Sequence, residues 1–254
     1  MNFSLLRSAW ITAKVAARST GAFANTRTFL VGIVLTPLLG VAFNVLLGQG
    51  IGAPELMPIA WASLVLGVFG MSASTLNGIV VHDRMIGVFD EVITRNRIPF
   101  HYWLGISLPS VGTALVTGSI LSATFLLITG QFSYHPFAYL VVPSAILGAL
   151  FGVFSAGMGV DKDNPYTYLN WSLTFLPLTS GAVVPLALYP TWIAPVLQWV
   201  PLTAVVQAWR ENTTPDWAGH AFTWASFLIL AIIGLSAAQR YGRRIRAGYS
   251  PHML

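Results

Sequence analysis

Residues 58–81 read PIAWASLVLGVFGMSASTLNGIVV, a stretch without a charged side chain. A helix needs roughly 20 predominantly apolar residues to cross the hydrocarbon core of a bilayer, so this stretch is long enough for one crossing. Similar stretches recur, and the connections between them are short. They predict an all-helical polytopic membrane protein with one domain over residues 1–254 and six spans: 29–48, 58–81, 103–129, 137–159, 166–188 and 218–239.

The composition supports this class. Hydrophobic residues make up 55% of the chain and charged residues 8%, whereas soluble proteins carry about 25% charged residues. Cysteine is absent, which excludes disulfides and thiolate chemistry. No metal site is predicted, because the histidines lack the spacing of metal ligands: His82, His101, His135, His220 and His252. The net charge of +5 indicates positive cytoplasmic loops rather than binding to nucleic acid.

The distribution of basic residues decides between two topologies. The segment 164–209 carries no charge and is long enough for two spans, which leaves six or seven spans open. With six spans, twelve basic residues lie on one side and Arg210 alone on the other, whereas a seventh span changes the ratio to nine against four. Basic residues concentrate in cytoplasmic loops, so the sequence predicts six spans with both termini in the cytoplasm.

An N-terminal segment is predicted to lie on the inner membrane surface. Residues 1–27 fit an interfacial helix with a basic side and an adjoining apolar stripe, formed by Arg7, Lys14 and Arg18 beside Leu6, Trp10, Ala13 and Ala17. Such a helix presents its basic side to anionic lipid. A plain start to the membrane domain, without a functional role, is the alternative.

The segment 189–217 is predicted to lie on the outer side. It is rich in proline, which breaks a span, and in tryptophan and tyrosine, which settle at the headgroup level. These residues predict one or two short helices that lie in the outer interface or dip back into it. Irregular backbone at that depth must be covered by protein or water.

The predicted spans offer no source of energy. They are nearly free of ionisable groups, and their polar residues, such as Ser72, Asn77 and Thr113, more commonly join helices than bind a substrate. Two rows of small residues would let helices approach closely, within one chain or between two: Gly32, Thr36 and Gly40, and Gly148 with Gly152. Neither lysine follows a glycine, so the chain has no P-loop and any ATP must be hydrolysed by a partner.

A charged segment between the second and third spans could receive such a partner. Residues 82–99 read HDRMIGVFDEVITRNRIP. Met85, Val88, Phe89, Val92 and Ile93 recur at helical spacing, with charged residues on the other side and Pro99 at the end. This pattern predicts a short amphipathic helix whose apolar ridge either docks a cytosolic protein or rests on lipid.

Two motifs resemble those of type-2 ABC exporter permeases. The first cytoplasmic loop of that family is similar to residues 82–99 at Asp83, Arg84, Gly87, Phe89, Asp90, Glu91 and Thr94. Arg95 stands where the family often has proline, which is delayed here to Pro99. The family's fifth span and outer re-entrant element are similar to residues 178–210, at Ser180, Gly181, Pro185, Pro190, Trp192, Pro201, Leu202, Thr203 and Arg210.

The resemblance implies a transmembrane permease in the plasma (cytoplasmic) membrane of a bacterium. Two permeases, identical or different, would pair above two cytosolic ABC ATPase subunits, which bind ATP and magnesium; the permease itself is no enzyme and needs no cofactor. The family's coupling function falls on the 83–97 helix, including Arg95, and on the N-terminal helix. The implied substrate is drug-like or amphiphilic, as in efflux-based antibiotic resistance. Export of a lipid or polysaccharide, or a non-transporting role in membrane assembly, are the alternatives.

Overall fold

Five helices are long and apolar enough to cross a membrane. The computed structural model describes residues 3–21, 25–52, 56–95, 99–129, 140–210 and 217–248, and the regular structure within these ranges is helical. The long helices are α2 (Thr26–Gly50), α3 (Met57–Met85), α5 (Phe100–Thr129), α6 (Val142–Gly159) and α10 (Trp217–Arg246). The shorter ones are α1 (Phe3–Ser19), α4 (Val88–Arg95), α7 (Thr167–Thr179), α8 (Ala194–Leu197) and α9 (Thr203–Arg210). The chain is therefore a multi-pass, all-helical membrane protein.

Helices α3 and α6 form the centre of the bundle and contact each other closely. A Cβ atom on Gly148 would lie 2.3 Å from the Phe69 carbonyl oxygen, and one on Gly152 would lie 2.9 Å from the Leu76 Cβ atom. The predicted row of these two glycines thus brings two helices of one chain together. By contrast, Gly32 and Gly40 on α2 have no described atom within 4 Å of a Cβ position.

Helix α1 packs along α5. Its buried side is a row of small residues, Ala9, Ala13 and Ala16. A Cβ atom on Gly105 of α5 would lie 2.6 Å from the Thr12 Cβ atom, so the two backbones are in close contact. Within the predicted apolar stripe, Ala13 is thus buried in a helix contact, which alanine's small side chain permits.

The fifth predicted span, 166–188, is only partly helical. Helix α7 contains 13 residues, which span about 20 Å against a hydrocarbon core of about 30 Å. It ends because Gly181 takes a positive φ of 77°, a conformation that glycine adopts readily, and because its N–H donates to the Leu178 carbonyl oxygen (3.3 Å). The continuation of this helix to residue 188 is a wrong prediction.

The chain beyond α7 is irregular but covered. Ser180, Ala182 and Val183 are buried, and Ala182 shares a core with residues of α3, α6 and α9. The Thr203 hydroxyl donates to the Thr179 carbonyl oxygen at 3.4 Å, which ties α9 to the end of α7. The irregular chain around Ser180 is therefore enclosed by protein.

The bundle has two ends, named here by what they carry. At the α4 end, α3 gives way to α4 and then to α5, and α10 finishes. At the far end lie α8, α9 and the start of α10, with Trp192, Trp199 and Trp217 exposed. Exposed tryptophans are typical of the membrane–water interface. Residues 211–216 of the predicted outer segment lie outside the described ranges.

Candidate functional site

The segment 82–95 is divided between two helices. Helix α3 runs on to Met85, so Asp83 and Arg84 belong to its last turn. Gly87, with a φ of 78°, then reverses the chain, and its carbonyl oxygen accepts the Glu91 N–H at 3.2 Å as α4 begins. The prediction of one helix carrying Met85 and Val88 on a common ridge is therefore wrong, because the glycine turn separates them. Arg97 lies outside the described residues.

The aromatic residue of α4 is enclosed by the chain itself. Phe89 is 0% exposed, and its ring centroid lies 5.9 Å from that of Tyr102, 6.1 Å from Trp103 and 6.5 Å from Tyr241. These partners come from the start of α5 and the end of α10. Phe89 therefore does not lie on the surface of a docking ridge, because aromatic residues of its own bundle enclose it.

The second buried residue of α4 lies against a glycine. Ile93 is 2% exposed, and a Cβ atom on Gly242 of α10 would lie 2.9 Å from the Ile93 Cγ1 atom and 3.0 Å from its carbonyl oxygen. Any larger residue than glycine at 242 would push α4 away from α10. The apolar side of α4 is thus an internal packing surface, and this part of the ridge prediction is wrong as well.

An arginine from α10 completes the attachment of α4. The Arg246 Nη1 atom donates to the carbonyl oxygens of Ile93 (3.2 Å) and Thr94 (3.0 Å). Carbonyl groups in the last turn of a helix have no partner within that helix, and a cationic donor there is favourable. The last two turns of α10 thus hold α4 in three ways. Tyr241 contacts the Phe89 ring, Gly242 lies against the Ile93 backbone, and Arg246 bonds the carbonyl oxygens at the end of α4.

Polar contacts join the surrounding helices. The Tyr102 hydroxyl donates to the Asp83 Oδ2 atom at 2.7 Å, linking α5 to α3. The Arg84 Nη1 atom donates to the Lys162 carbonyl oxygen at 3.4 Å, in the connection between α6 and α7, and its guanidinium lies 5.8 Å from the Tyr241 ring centroid. Arg244 of α10 pairs with Asp161 in that same connection. Side chains from α3, α5 and α10 therefore cross-link the α4 end, together with the connection between α6 and α7.

Asp90 is the acidic residue of α4 that turns inward. Burial raises the pKa of its carboxyl, and the Tyr241 hydroxyl and the Arg84 charge oppose this shift by smaller amounts. The Thr94 hydroxyl donates to the Asp90 carbonyl oxygen at 2.7 Å, within α4. Both Asp90 and Thr94 are half-buried, and the Thr94 hydroxyl is engaged within α4 itself.

The other side of the α3–α4 connection is open. Met85 is 76% exposed and Ile86 59%, and Val88 is exposed beside them. Glu91 and Arg95 form an exposed ion pair one turn apart on α4. These five residues, Met85, Ile86, Val88, Glu91 and Arg95, are called the α4 face below. It combines a small apolar patch with two charges of opposite sign.

The remaining candidate residues lie elsewhere. On α1, Arg7, Lys14, Arg18 and Trp10 are exposed, with the Lys14 Nζ atom 5.5 Å from the Trp10 ring centroid. At the far end Ser180 is buried, Gly181 ends α7, and Pro185, Pro190 and Trp192 follow in the irregular chain. The Pro201 carbonyl oxygen accepts a hydrogen bond from Thr223 at 3.4 Å. The side chain of Arg210 lies outside the described ones.

Sequence reasoning missed the residues that hold α4. Tyr241, Gly242 and Arg246 stood within a basic helix end that the topology argument treated only as positive charge. The sequence pattern that could have indicated them is an aromatic residue followed by glycine among arginines, at 240–244. The adjacent aromatic residues Tyr102 and Trp103 are a second such indication. No protein-family model matches the sequence, and a search among curated proteins found no match either. The function must therefore be inferred from these contacts.

Proposed function

We propose that this chain is the transmembrane subunit of an ATP-driven exporter of the type-2 ABC kind, and that the α4 face binds a separate cytosolic ATPase. The supporting observation is the two-sided construction of α4. One side is attached to α10 and α5 through Phe89, Ile93 and Arg246. The other side presents an exposed apolar patch next to a charged pair. A force applied to that face would pass directly into two spans.

The energy source follows from the sequence. Neither Lys14 nor Lys162 has the glycine that a P-loop requires before its lysine, so ATP and magnesium belong to the partner. The proposed assembly contains two copies of this chain, or this chain with a related permease, above two ATPase subunits. In the closed ATPase dimer the α4 faces would be displaced, and the bundle would switch between two rigid arrangements.

The proposed topology has six crossings with both termini in the cytoplasm. Five crossings are the long helices, and the sixth combines α7 with the buried chain around Ser180 and Val183. This topology puts the α4 end in the cytoplasm of a bacterial cell and the exposed tryptophans of the far end in the outer interface. It also leaves one basic residue outside, in agreement with the charge distribution.

The proposed substrate is drug-like or amphiphilic. The polar groups within the spans are uncharged, and the Thr113 hydroxyl donates to the Thr75 hydroxyl at 3.2 Å, which joins α5 to α3. Ser72 and Asn77 are fully buried. A bundle with this apolar interior favours substrates that carry large apolar groups over substrates that are uniformly polar.

Purification of the tagged chain from its native host in mild detergent tests the proposal. A stoichiometric companion carrying a P-loop, with vanadate-sensitive ATP hydrolysis in the complex and none in the chain alone, is the expected result. Reconstitution of that complex should then give ATP-dependent efflux of an amphiphilic dye. A stable chain without an ATPase, or a complex that hydrolyses ATP but moves no substrate, would favour the assembly role instead.

The α4 face provides a sharper test. Val88→Asp should weaken association with the ATPase at least about tenfold, since a charge placed in an apolar contact loses both packing and solvation. The thermal stability of the chain itself should hardly change, because Val88 is exposed. Asn164→Asp adds the same charge at an exposed position of the same end and serves as the control. Equal ATPase recovery with both variants would argue against docking at this face.

The absence of cysteine makes the topology directly measurable. Thr191→Cys should react with an impermeant thiol reagent added to intact cells, whereas Asp163→Cys and Ala247→Cys should react only after lysis. All three positions are exposed in the isolated chain. Ala247 decides the number of crossings, because a bundle in which α7 does not cross would carry Ala247 to the outside. External labelling at this position would contradict the six-crossing topology.

A further inference from the structure

Helix α10 is built as a continuous rod. It contains 30 residues from Trp217 to Arg246 and no proline, so it extends about 45 Å and exceeds the hydrocarbon thickness of about 30 Å. Its principal helix contacts in the described structure are with α6 along its length, α4 at one end and α9 at the other. Helix α10 therefore physically connects the two ends of the bundle.

The contact between α10 and α6 is closest at two glycines. A Cβ atom on Gly157 would lie 2.1 Å from the Gly234 carbonyl oxygen, and one on Gly234 would lie 2.5 Å from the Phe154 Cα atom. Away from the glycines the two helices also pack through side chains, as Phe227 does against Phe151 with ring centroids 6.2 Å apart. The glycines mark the point where the two helix axes approach most closely, so a change in the angle between the helices would centre there.

The far end of α10 holds the irregular outer segment. The buried Thr223 hydroxyl shares its single proton between the Gly219 carbonyl oxygen (2.9 Å) within α10 and the more distant Pro201 carbonyl oxygen (3.4 Å) outside it. Phe222 meets the Trp199 ring edge-to-face with centroids 5.8 Å apart. Phe227 shares a core with Leu202 and Val206. The segment 199–206 is thus attached to the first third of α10.

The two attachments are nearly equidistant from the glycine contact. Thr223 lies 11 residues before Gly234, and Arg246 lies 12 residues after it. At 1.5 Å per residue both arms measure about 17 Å. A tilt about the glycine contact would therefore move α4 and the segment 199–206 by similar distances in opposite directions.

We propose that Arg246 and Thr223 are positioning residues through which α10, tilting about Gly157 and Gly234, couples the position of α4 to that of the segment 199–206. Its role in export rests on the proposed function, because displacement of α4 by an ATPase would then open the outer side. The coupling itself is a property of the single chain. It can be measured without a partner.

Hydrogen–deuterium exchange on the full chain in lipid nanodiscs measures this coupling. Arg246→Ala should speed exchange in α4, which any local role predicts, and should also change exchange in segment 199–206 by about fivefold or more, the lower range of typical coupling. Arg246→Lys, which keeps the charge but loses the guanidinium geometry, should give an intermediate change. Arg243→Ala removes an exposed arginine from the same helix end and should leave the remote segment unchanged.

Coupling between two sites is reciprocal, so the far end must act on α4 in return. Thr223→Val, which keeps the side-chain shape, should alter exchange in α4 by about threefold or more. Thr124→Val is the control, since that hydroxyl bonds the Ile120 carbonyl oxygen within α5. The coupling would be overturned if Arg246→Ala left exchange in the segment 199–206 unchanged, or if Thr223→Val left exchange in α4 unchanged. Loss of ATPase binding in the purification experiment, with reciprocal changes intact, would instead remove the transport role and leave the coupling standing.

Discussion

Phe89→Ala is expected to lower the free energy of unfolding by about 3–5 kcal/mol, the range measured for truncating a buried aromatic residue. The ring is fully enclosed and contacts Tyr102, Trp103 and Tyr241. Truncation to alanine would leave an apolar cavity that neither water nor the surrounding rings fill. The loss should therefore include hydrophobic transfer and aromatic contacts together.

Reversible unfolding in mixed micelles, followed by tryptophan fluorescence, measures this difference. Val88→Ala truncates the neighbouring exposed residue and should cost less than about 1 kcal/mol. In a complex with an ATPase, Phe89→Ala should also weaken binding, because α4 would no longer be held in position. A Phe89→Ala variant of normal stability that nevertheless lost the ATPase would show that the ring belongs to the interface after all.

The contrast with the sequence-based prediction is instructive. The spacing of Phe89, Val92 and Ile93 correctly indicated an amphipathic helix over this segment. Periodicity identifies which side of a helix is apolar, but it carries no information about what covers that side. The residues that cover Phe89 are Tyr102 and Trp103 on α5 and Tyr241 on α10. Helix α5 follows α4 directly, but α10 is far from α4 in sequence. Only the folded arrangement reveals that the cover is internal.

The long spans were predictable because lipid imposes a simple rule. Four of the predicted stretches, 29–48, 58–81, 103–129 and 218–239, lie within helices that the structure forms, since every backbone group must find a partner inside its own segment. The same rule misled for 166–188. There, a buried turn at Gly181 satisfies the backbone by other means, through Leu178 and Pro177 carbonyl oxygens, and hydropathy cannot distinguish such a turn from a continuing helix.

Helix α1 shows a related limit. Helical spacing predicted that Arg7, Lys14 and Arg18 share one side of α1, apart from the small residues. These basic side chains are exposed. The sequence did not show that Ala9, Ala13 and Ala16 would be buried, or that the backbone of α1 at Ala9 and Thr12 would lie against Gly105 of α5. Alanine is neutral as a hydrophobic signal, but in a helix contact its small size is what allows two backbones to approach. Steric fit of this kind appears only when both surfaces are known.

Gly157→Ala is expected to separate α10 from α6 and to destabilise the bundle by about 3 kcal/mol, the upper end of the usual cost of overpacking. The new Cβ atom would lie 2.1 Å from the Gly234 carbonyl oxygen, which cannot move aside as a flexible side chain could. Lipid is as apolar as the helix surfaces, so association within the membrane relies on close packing. Separating the backbones removes that packing along much of α10.

Gly78→Ala is the matched control, because a Cβ atom there meets no described atom within 4 Å and alanine favours a helix over glycine by roughly 0.5–1 kcal/mol. Unfolding in mixed micelles should therefore show Gly78→Ala at or above wild-type stability and Gly157→Ala well below it. Gly234→Ala should resemble Gly157→Ala. The double variant should cost clearly less than the two added together, because either methyl group alone already forces the helices apart and the second then meets a relieved contact. Strict additivity would mean that the two glycines do not form one contact, and the tilting of α10 would lose its fulcrum.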